Sequence, residues 1–337
     1  MKAIVLGVGR MGRRHIQVAA KAGCELAGVY DVRKESLDEA KREYGLDDAL
    51  LFDDIDRLYK VARPDCVIIA TTADSHETLT CMAAQRGAKF VLVEKPMATS
   101  LDACDRMIAT CARHGVGLAV NHQMRFMEQY TRPKALFGSD AFGEMGSMSV
   151  VAGNFGLSMN GCHYFEAFRY LADDELVDVS AWFSPDTVPN PRGAQFGDRG
   201  GSVRITTRSG KRFYMEAGTD QGHGVRVVYG ARQGMITINE LSGELAGTER
   251  QEEFRSLPTT RYGMPAVERR ETIAPAEVID TSAEVLRALI AGQNSVTGEH
   301  GRSAVEVLVA AHQSAEAGGA RVMLGAGLDR TRIFPWA

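Results

Sequence analysis

No apolar run in this chain approaches the length needed to cross a bilayer, so a helical membrane protein is excluded. A basic surplus is also missing. The 39 Lys and Arg are outnumbered by 43 Asp and Glu, and a net charge of −4 leaves no cationic surface for nucleic acid or anionic lipid. The six cysteines, Cys24, Cys66, Cys81, Cys104, Cys111 and Cys162, form no C-x-x-C pair and no zinc-ligand spacing. No histidine is spaced with another histidine or a carboxylate as a metal pair, so no metal is expected, and the thiols read as reduced. Met1-Lys2 followed by apolar residues has the outline of a signal peptide, but Arg10, Arg13 and Arg14 end that run too early. The expectation is a cytoplasmic protein. At 337 residues the chain exceeds what one hydrophobic core usually serves, which predicts two domains, residues 1–122 and 123–337.

What is present begins at Lys2. The apolar run Ala3-Ile4-Val5-Leu6 ends in Gly7-Val8-Gly9-Arg10-Met11-Gly12, and a helical pattern follows from Arg10 to Ala22. Strand, glycine turn and helix in this order suit a dinucleotide diphosphate. Gly7 makes the turn, Gly9 admits the ligand to the backbone, and Gly12 lets the helix pack on the strand, while N–H groups around Arg10 and Met11 face the anion. Arg10, Arg13 and Arg14 crowd positive charge onto the first turns of that helix, which its macrodipole disfavours unless an anion lies nearby. A second strand, Glu25 to Tyr30, ends at Asp31, close to the spacing at which a carboxylate takes the ribose 2′-hydroxyl. Asp31 repels a 2′-phosphate and so favours NAD; Arg33 and Lys34, which follow it, keep NADP open.

Helical and apolar stretches then alternate: a helix over 34–44, strands over 49–52 and 65–70, a helix over 76–86, a strand over 89–93, a helix over 101–114 and a strand over 117–120. Strands that are continuously apolar specify a parallel sheet covered on both faces, an α/β doubly wound fold. Ligands of such sheets bind beyond the carboxyl ends of the strands. Besides the glycine turn and Asp31, those ends carry Thr71, Thr72 and His76, then Glu94-Lys95-Pro96, then Asn121 to Arg125. Lys95, between Glu94 and Pro96, is placed to hydrogen-bond a substrate hydroxyl and move its proton; the plainer alternative is a surface lysine.

These residues, GVGRMG, ATTADSH, EKPMATS and NHQMRF in this order and spacing, resemble the Gfo/Idh/MocA family of NAD(P)-dependent oxidoreductases. The resemblance implies a Rossmann domain followed by an α+β domain with an open, mainly antiparallel sheet. It also implies Lys95 as the catalytic lysine beside the nicotinamide, with Glu94, Thr71, His76 and Asn121 near the cofactor.

The second half reads as strands over 177–183, 201–207, 211–216, 225–229 and 235–239, with helices over 126–137, 161–171, 276–291 and 301–317. Residues 185–200, rich in Pro and Gly, read as a surface loop. By resemblance, the free sheet face implies a homodimer or homotetramer, and His163 joins Lys95 in proton handling, with Arg125 and Asn160 as further candidates for substrate. The family's Asp-x-Gly-x-His-x-x-Asp departs here to Met159-Asn160-Gly161-Cys162-His163-Tyr164-Phe165-Glu166, which removes the carboxylate that orients the histidine. The reading that results is hydride transfer between a nicotinamide and a secondary alcohol or ketone of a sugar, cyclitol or nucleotide sugar. A redox-assisted glycosidase and a dinucleotide-dependent sensor are the alternatives.

Overall fold

The computed structural model describes residues 1–257, 265–275, 277–294 and 296–336. Two compact units divide the chain: Met1–Gln123 with Glu277–Val305 and Asp329–Ala337, and Met124–Ala276 with Glu306–Leu328. Two stretches that the sequence puts in residues 123–337, Glu277–Val305 and Asp329–Ala337, thus cluster with the first unit.

The first unit alternates β1 (Lys2–Leu6), α1 (Arg10–Lys21), β2 (Glu25–Tyr30), α2 (Lys34–Tyr44), β3 (Leu51–Phe52), α3 (Ile55–Ala62), β4 (Cys66–Ile69), α4 (Ala73–Gln85), β5 (Phe90–Val93), α5 (Leu101–His114) and β6 (Gly117–Val120). The strands pair in parallel in the order β3-β2-β1-β4-β5-β6. The order reverses between β1 and β4, which puts a ligand crevice at the carboxyl ends of those strands. All four residues of β4 are buried, as covering on both faces requires. This is the Rossmann arrangement that the resemblance implies.

Two details differ from the sequence pattern. Helix α3 fills a stretch in which no element is predicted: Asp54 caps it by accepting the N–H groups of Asp56 (2.8 Å) and Arg57 (3.1 Å), and Leu58, Tyr59 and Ala62 face the core. Helix α4 begins at Ala73, three residues before the predicted start, because Thr72 already takes the extended cap conformation; His76 therefore sits inside the helix.

The second unit opens with α6 (Glu128–Phe137), β7 (Met145–Gly153) and α7 (Cys162–Ala172) and continues through β8 (Leu176–Thr187), β9 (Arg199–Thr207), β10 (Arg212–Gly218), β11 (Arg226–Ala231), β12 (Gly234–Asn239), β13 (Glu244–Arg250) and β14 (Ala266–Thr272). After it come α8 (Val278–Ile290), α9 (Gly298–Glu316) and β15 (Val322–Met323). The sequence starts a helix at Ala276, which lies outside the described residues. Nine strands pair in the order β14-β13-β12-β11-β7-β10-β9-β8-β15, all antiparallel except β7 with β10. Side chains alternate across this sheet. Met148 and Val150, Phe213 and Met215, Val227 and Tyr229 point inward, where Phe165 and Phe168 pack on Phe213 at centroid distances of 5.7 and 5.4 Å. Val151, Trp182, Tyr214, Met235 and Val267 are exposed.

Helix α8 returns to the first unit and packs on α1, β5 and β6, burying Ala283, Val285, Leu286 and Leu289. Its apolar stripe is what draws this segment there.

Candidate active site

The three glycines of the first turn meet different constraints. Gly7 has φ +82°, and a Cβ there would lie 2.7 Å from Thr71 Cγ2. A Cβ on Gly12 would lie 1.7 Å from the Gly7 carbonyl oxygen. Both are demanded by the protein's own packing. Gly9 is not: its Cβ would meet only an Arg33 guanidinium nitrogen, 3.9 Å away. Gly9 is also the N-cap of α1, which has no side-chain cap and no acidic residue in its first turn. Open space beside an uncapped helix N-terminus is the cradle an anionic group would fill. Arg10 is exposed beside it, whereas Arg13 is engaged by Glu39 (2.5 Å) and Glu43 (2.8 Å) on α2, so the positive charge of the first turns is partly neutralised within the protein.

Asp31 ends β2, buried, with its carboxylate accepting the Val8 N–H (2.9 Å) and the Arg33 N–H (2.9 Å). It fastens the glycine turn to the second strand. The Arg33 side chain is largely exposed, with Nε 3.7 Å from Asp31.

Thr71 and Thr72 are half-buried at the end of β4, and Ser75 Oγ donates to Thr71 Oγ1 (2.7 Å) and to the Thr72 carbonyl (2.9 Å). His76 is buried, with Nδ1 3.1 Å from the Pro96 carbonyl oxygen and Nε2 3.3 Å from that of Thr71. Burial lowers its pKa against these carbonyls, which favour the charged ring. A neutral ring has one N–H, so it donates to one side only. His76 thus braces the turn after β4 against the turn after β5, in which the Lys95–Pro96 bond is cis.

Lys95 is half-buried and follows Glu94, whose side chain is 3% exposed. Glu94 Oε1 lies 2.6 Å from His15 Nε2 and accepts from Asn121 Nδ2 (2.9 Å). Asn121 Nδ2 also donates to Ser282 Oγ on α8 (3.1 Å). Burial alone would raise the Glu94 pKa; His15, Lys95 and Asn121 outweigh it and hold the carboxyl well below the usual range.

In the second unit, His163 is half-buried in the first turn of α7, after a wider turn over Leu157–Gly161 that carries Met159 and half-buried Asn160. Asp198, just before β9, accepts the N–H groups of Ser158 and Met159, both at 2.9 Å. A carboxylate from another part of the chain thus holds the backbone of this turn, and burial raises the Asp198 pKa against those donors. The Arg125 guanidinium meets Glu166 at 2.7 Å and lies 4.7 Å over Tyr170; Arg169 joins the same carboxylate at 3.2 Å. Another acid, Glu240, takes hydrogen bonds from Tyr130 and from Tyr164 (2.7 Å), and Phe155 stacks on Tyr164 at 5.8 Å. The sequence gives no local sign of Asp198, Glu240 or the His15 to Glu94 bond, because each joins residues far apart in the chain. Among the described residues no group of three or more His, Cys, Asp or Glu is arranged to hold a metal.

Comparison with known proteins agrees with this geometry. Residues 1–122 match the family model of the Gfo/Idh/MocA proteins, described as "Oxidoreductase family, NAD-binding Rossmann fold". Inositol 2-dehydrogenase of Serratia proteamaculans is 27% identical over 192 residues, 53% of this chain and 56% of that protein. Inositol 2-dehydrogenase 2 of Saccharopolyspora erythraea is 30% identical over 190 residues, 52% of this chain and 55% of that one. The chain thus matches about half the length of these curated relatives. A solved oxidoreductase of Agrobacterium radiobacter, in complex with NAD+, L-tartaric acid and magnesium, shares the fold with a TM-score of 0.80 at 19% identity, over 96% of this chain and 98% of that one. Residues 1–122 thus carry the NAD-binding Rossmann fold of the Gfo/Idh/MocA oxidoreductases.

Proposed function

We propose that this protein is an NAD-dependent dehydrogenase or ketoreductase acting on a secondary alcohol or ketone of a sugar or cyclitol. One observation carries the reading: a half-buried lysine stands at the carboxyl end of β5, on the same sheet edge where Gly9 leaves an uncapped helix N-terminus open to an anion. The family assignment supplies the cofactor class, and the inositol dehydrogenases among its relatives support the substrate class.

The residues fit the dinucleotide. Gly7, Gly9, Arg10, Met11 and Gly12 would hold its diphosphate, and Asp31 its adenosine ribose, with Arg33, Thr71, Thr72 and His76 along the same edge and Asn121 behind. A bound nicotinamide supplies the hydride acceptor or donor. Lys95 Nζ then handles the other half of the hydrogen, taking the hydroxyl proton in oxidation and returning it to the carbonyl oxygen in reduction. In the second unit, His163 and Asn160 are the candidates to hold substrate hydroxyls, on a turn that Asp198 fixes through backbone N–H groups. Val151, Trp182, Tyr214 and Met235 on the outer face of the nine-stranded sheet are the residues a second copy of the chain would cover.

The test is a screen of cyclitols, sugars and nucleotide sugars for NADH formation at 340 nm, with Lys95→Ala alongside. Loss of turnover by about 10²-fold or more is expected, the scale of general acid–base catalysis, with NADH affinity retained. Normal turnover by Lys95→Ala would refute the assigned role. Sugar cleavage without net NADH would point to a redox-assisted glycosidase, and dinucleotide binding without turnover to a sensor.

A further inference from the structure

We propose that the substrate of this protein carries an anionic group, a carboxylate or a phosphate, which Arg125, Lys134 and Arg169 of the second unit hold beside His163. The inference rests on the dehydrogenase reading above and names its substrate class.

Three cations gather on one acid and one aromatic ring where α6 packs on α7. Arg125, just before α6, gives Nε and one Nη to Glu166 Oε1 at 2.8 and 2.7 Å, and its guanidinium carbon lies 4.7 Å from the centre of the Tyr170 ring. Lys134, on α6, places Nζ 3.7 Å from the same ring centre and donates to the Tyr170 carbonyl at 2.6 Å. Arg169 reaches the same Glu166 oxygen at 3.2 Å. Glu166 is fully buried, so one carboxylate is built into the cluster and three cations share it. Asp173, the C-cap of α7, is exposed, and among the described residues it forms no ion pair with any of the three.

Positive charge therefore exceeds negative where water screens poorly, since the Arg125 and Arg169 side chains are 9% and 20% exposed. Burial is the first cause that lowers the Lys134 pKa, and Arg125 and Arg169 lower it further against Asp173 and Glu166. Like charges crowded at low dielectric repel more strongly than in water, and an added anion relieves them. Arg169 Nε, also buried, has no acceptor among the described residues. A neutral polyol gives no reason for this crowding. A carboxylate or phosphate does, because guanidinium groups take either one with paired, charge-assisted hydrogen bonds.

Helix spacing puts the cluster next to the candidate substrate residues. His163, Glu166 and Tyr170 fall at i, i+3 and i+7 of α7, along one stripe of one face. Three helical residues rise about 4.5 Å, which is within the span of a single sugar ring. A hydroxyl held at His163 and an anionic substituent held at the Arg125 and Arg169 pair can thus belong to one molecule.

The experiment compares substrates that differ in the anionic group: D-glucose against D-glucuronate and glucose 6-phosphate, and myo-inositol against its monophosphate. NADH formation at 340 nm gives kcat/KM for each, and calorimetric titration onto protein saturated with NADH gives Kd. The acid should exceed its neutral partner by about ten-fold or more on both axes, ~1.4 kcal/mol, and its KM should rise with added salt. A larger gain for glucuronate identifies a carboxylate as the group held, and a larger gain for the phosphates identifies a phosphate; both support the proposal. Arg169→Gln and Lys134→Gln should each narrow the acid-to-neutral ratio by about ten-fold, whereas Arg169→Lys, which keeps the charge, should retain most of it. If Arg169→Gln does not fold, Lys134→Gln carries the comparison. Acids that bind no better than their neutral partners, or not at all, overturn the proposal, as does a ratio unmoved in Lys134→Gln. Acids that bind more tightly than their partners yet never reduce NAD+ would sink the dehydrogenase reading and leave the anion site standing.

Discussion

Gly9 offers the sharpest test of where the dinucleotide sits, because the same substitution has opposite consequences for fold and for ligand. Its backbone, at φ −64° and ψ −167°, is open to any residue, and an added Cβ would find its nearest neighbour at 3.9 Å. Gly9→Ala should therefore leave the melting temperature unchanged or raise it slightly, since alanine narrows the unfolded ensemble by about 0.4–1 kcal/mol. A diphosphate lying against that backbone would meet the methyl group. Overpacking of this kind costs about 1–3 kcal/mol, which is roughly 5- to 150-fold in Kd. Gly12→Ala is the control. Its Cβ would fall 1.7 Å from the Gly7 oxygen, so the turn must rebuild. A cost of about 3 kcal/mol or more is expected there, with a loss of roughly 6–12 °C in the melting of the first unit. NADH affinity by fluorescence titration and melting by calorimetry give both axes. If Gly9→Ala binds NADH like wild type, or melts as low as Gly12→Ala, the cradle is misassigned.

Two further outcomes follow from the second unit. Asp198→Ala strands the N–H groups of Ser158 and Met159 and should destabilise that unit by about 1–3 kcal/mol, visible as a lower denaturant midpoint, with Asp198→Asn losing less because one acceptor remains. Glu240 is held above the usual carboxyl range, first by burial, against the Tyr130 and Tyr164 donors. Its folded form keeps a proton more tightly than the unfolded chain, so its contribution is fully present below the unfolded pKa of about 4.3 and is lost as pH rises through the folded value. Glu240→Gln does not titrate, so the melting temperature of wild type minus that of Glu240→Gln should fall as pH rises above the unfolded carboxyl value. A constant difference would refute the linkage.

The first unit was legible because its signals are local. Continuous apolar strands, the glycine turn and Asp31 each declare themselves within a few residues, and β1, β2, β4, β5 and β6 lie within a residue or two of their predicted positions. Strands β13 and β14 carry no such signal: Leu245 is the one buried apolar side chain of β13, and β14 runs through four consecutive charged residues, Glu268-Arg269-Arg270-Glu271. The pairing of β13 with β12, and of β14 with β13, gives them strand form, not their own pattern. The rim residues Asp31, Thr71, His76, Glu94 and Asn121 stand out as the ends of strands, but what their side chains do is not written in the local sequence. His15 reads in the sequence as an ordinary helix residue, because its bond to Glu94 spans 79 positions.

The nucleotide-binding unit is assembled from pieces made far apart in time. Ser282 meets Asn121 across 161 positions, Asn294 donates to the Leu118 carbonyl at 2.8 Å, and the Phe334 N–H reaches the Thr99 carbonyl at 2.9 Å. A ribosome adding 5–20 residues per second needs on the order of ten to thirty seconds between Asn121 and Ser282. Throughout that interval the nascent parallel sheet stands with one flank bare, while the antiparallel half is threaded out between its two parts. A fragment cut at residue 122 would keep that bare flank permanently and should aggregate, whereas adding the α8 segment as a separate peptide offers it the cover it lacks.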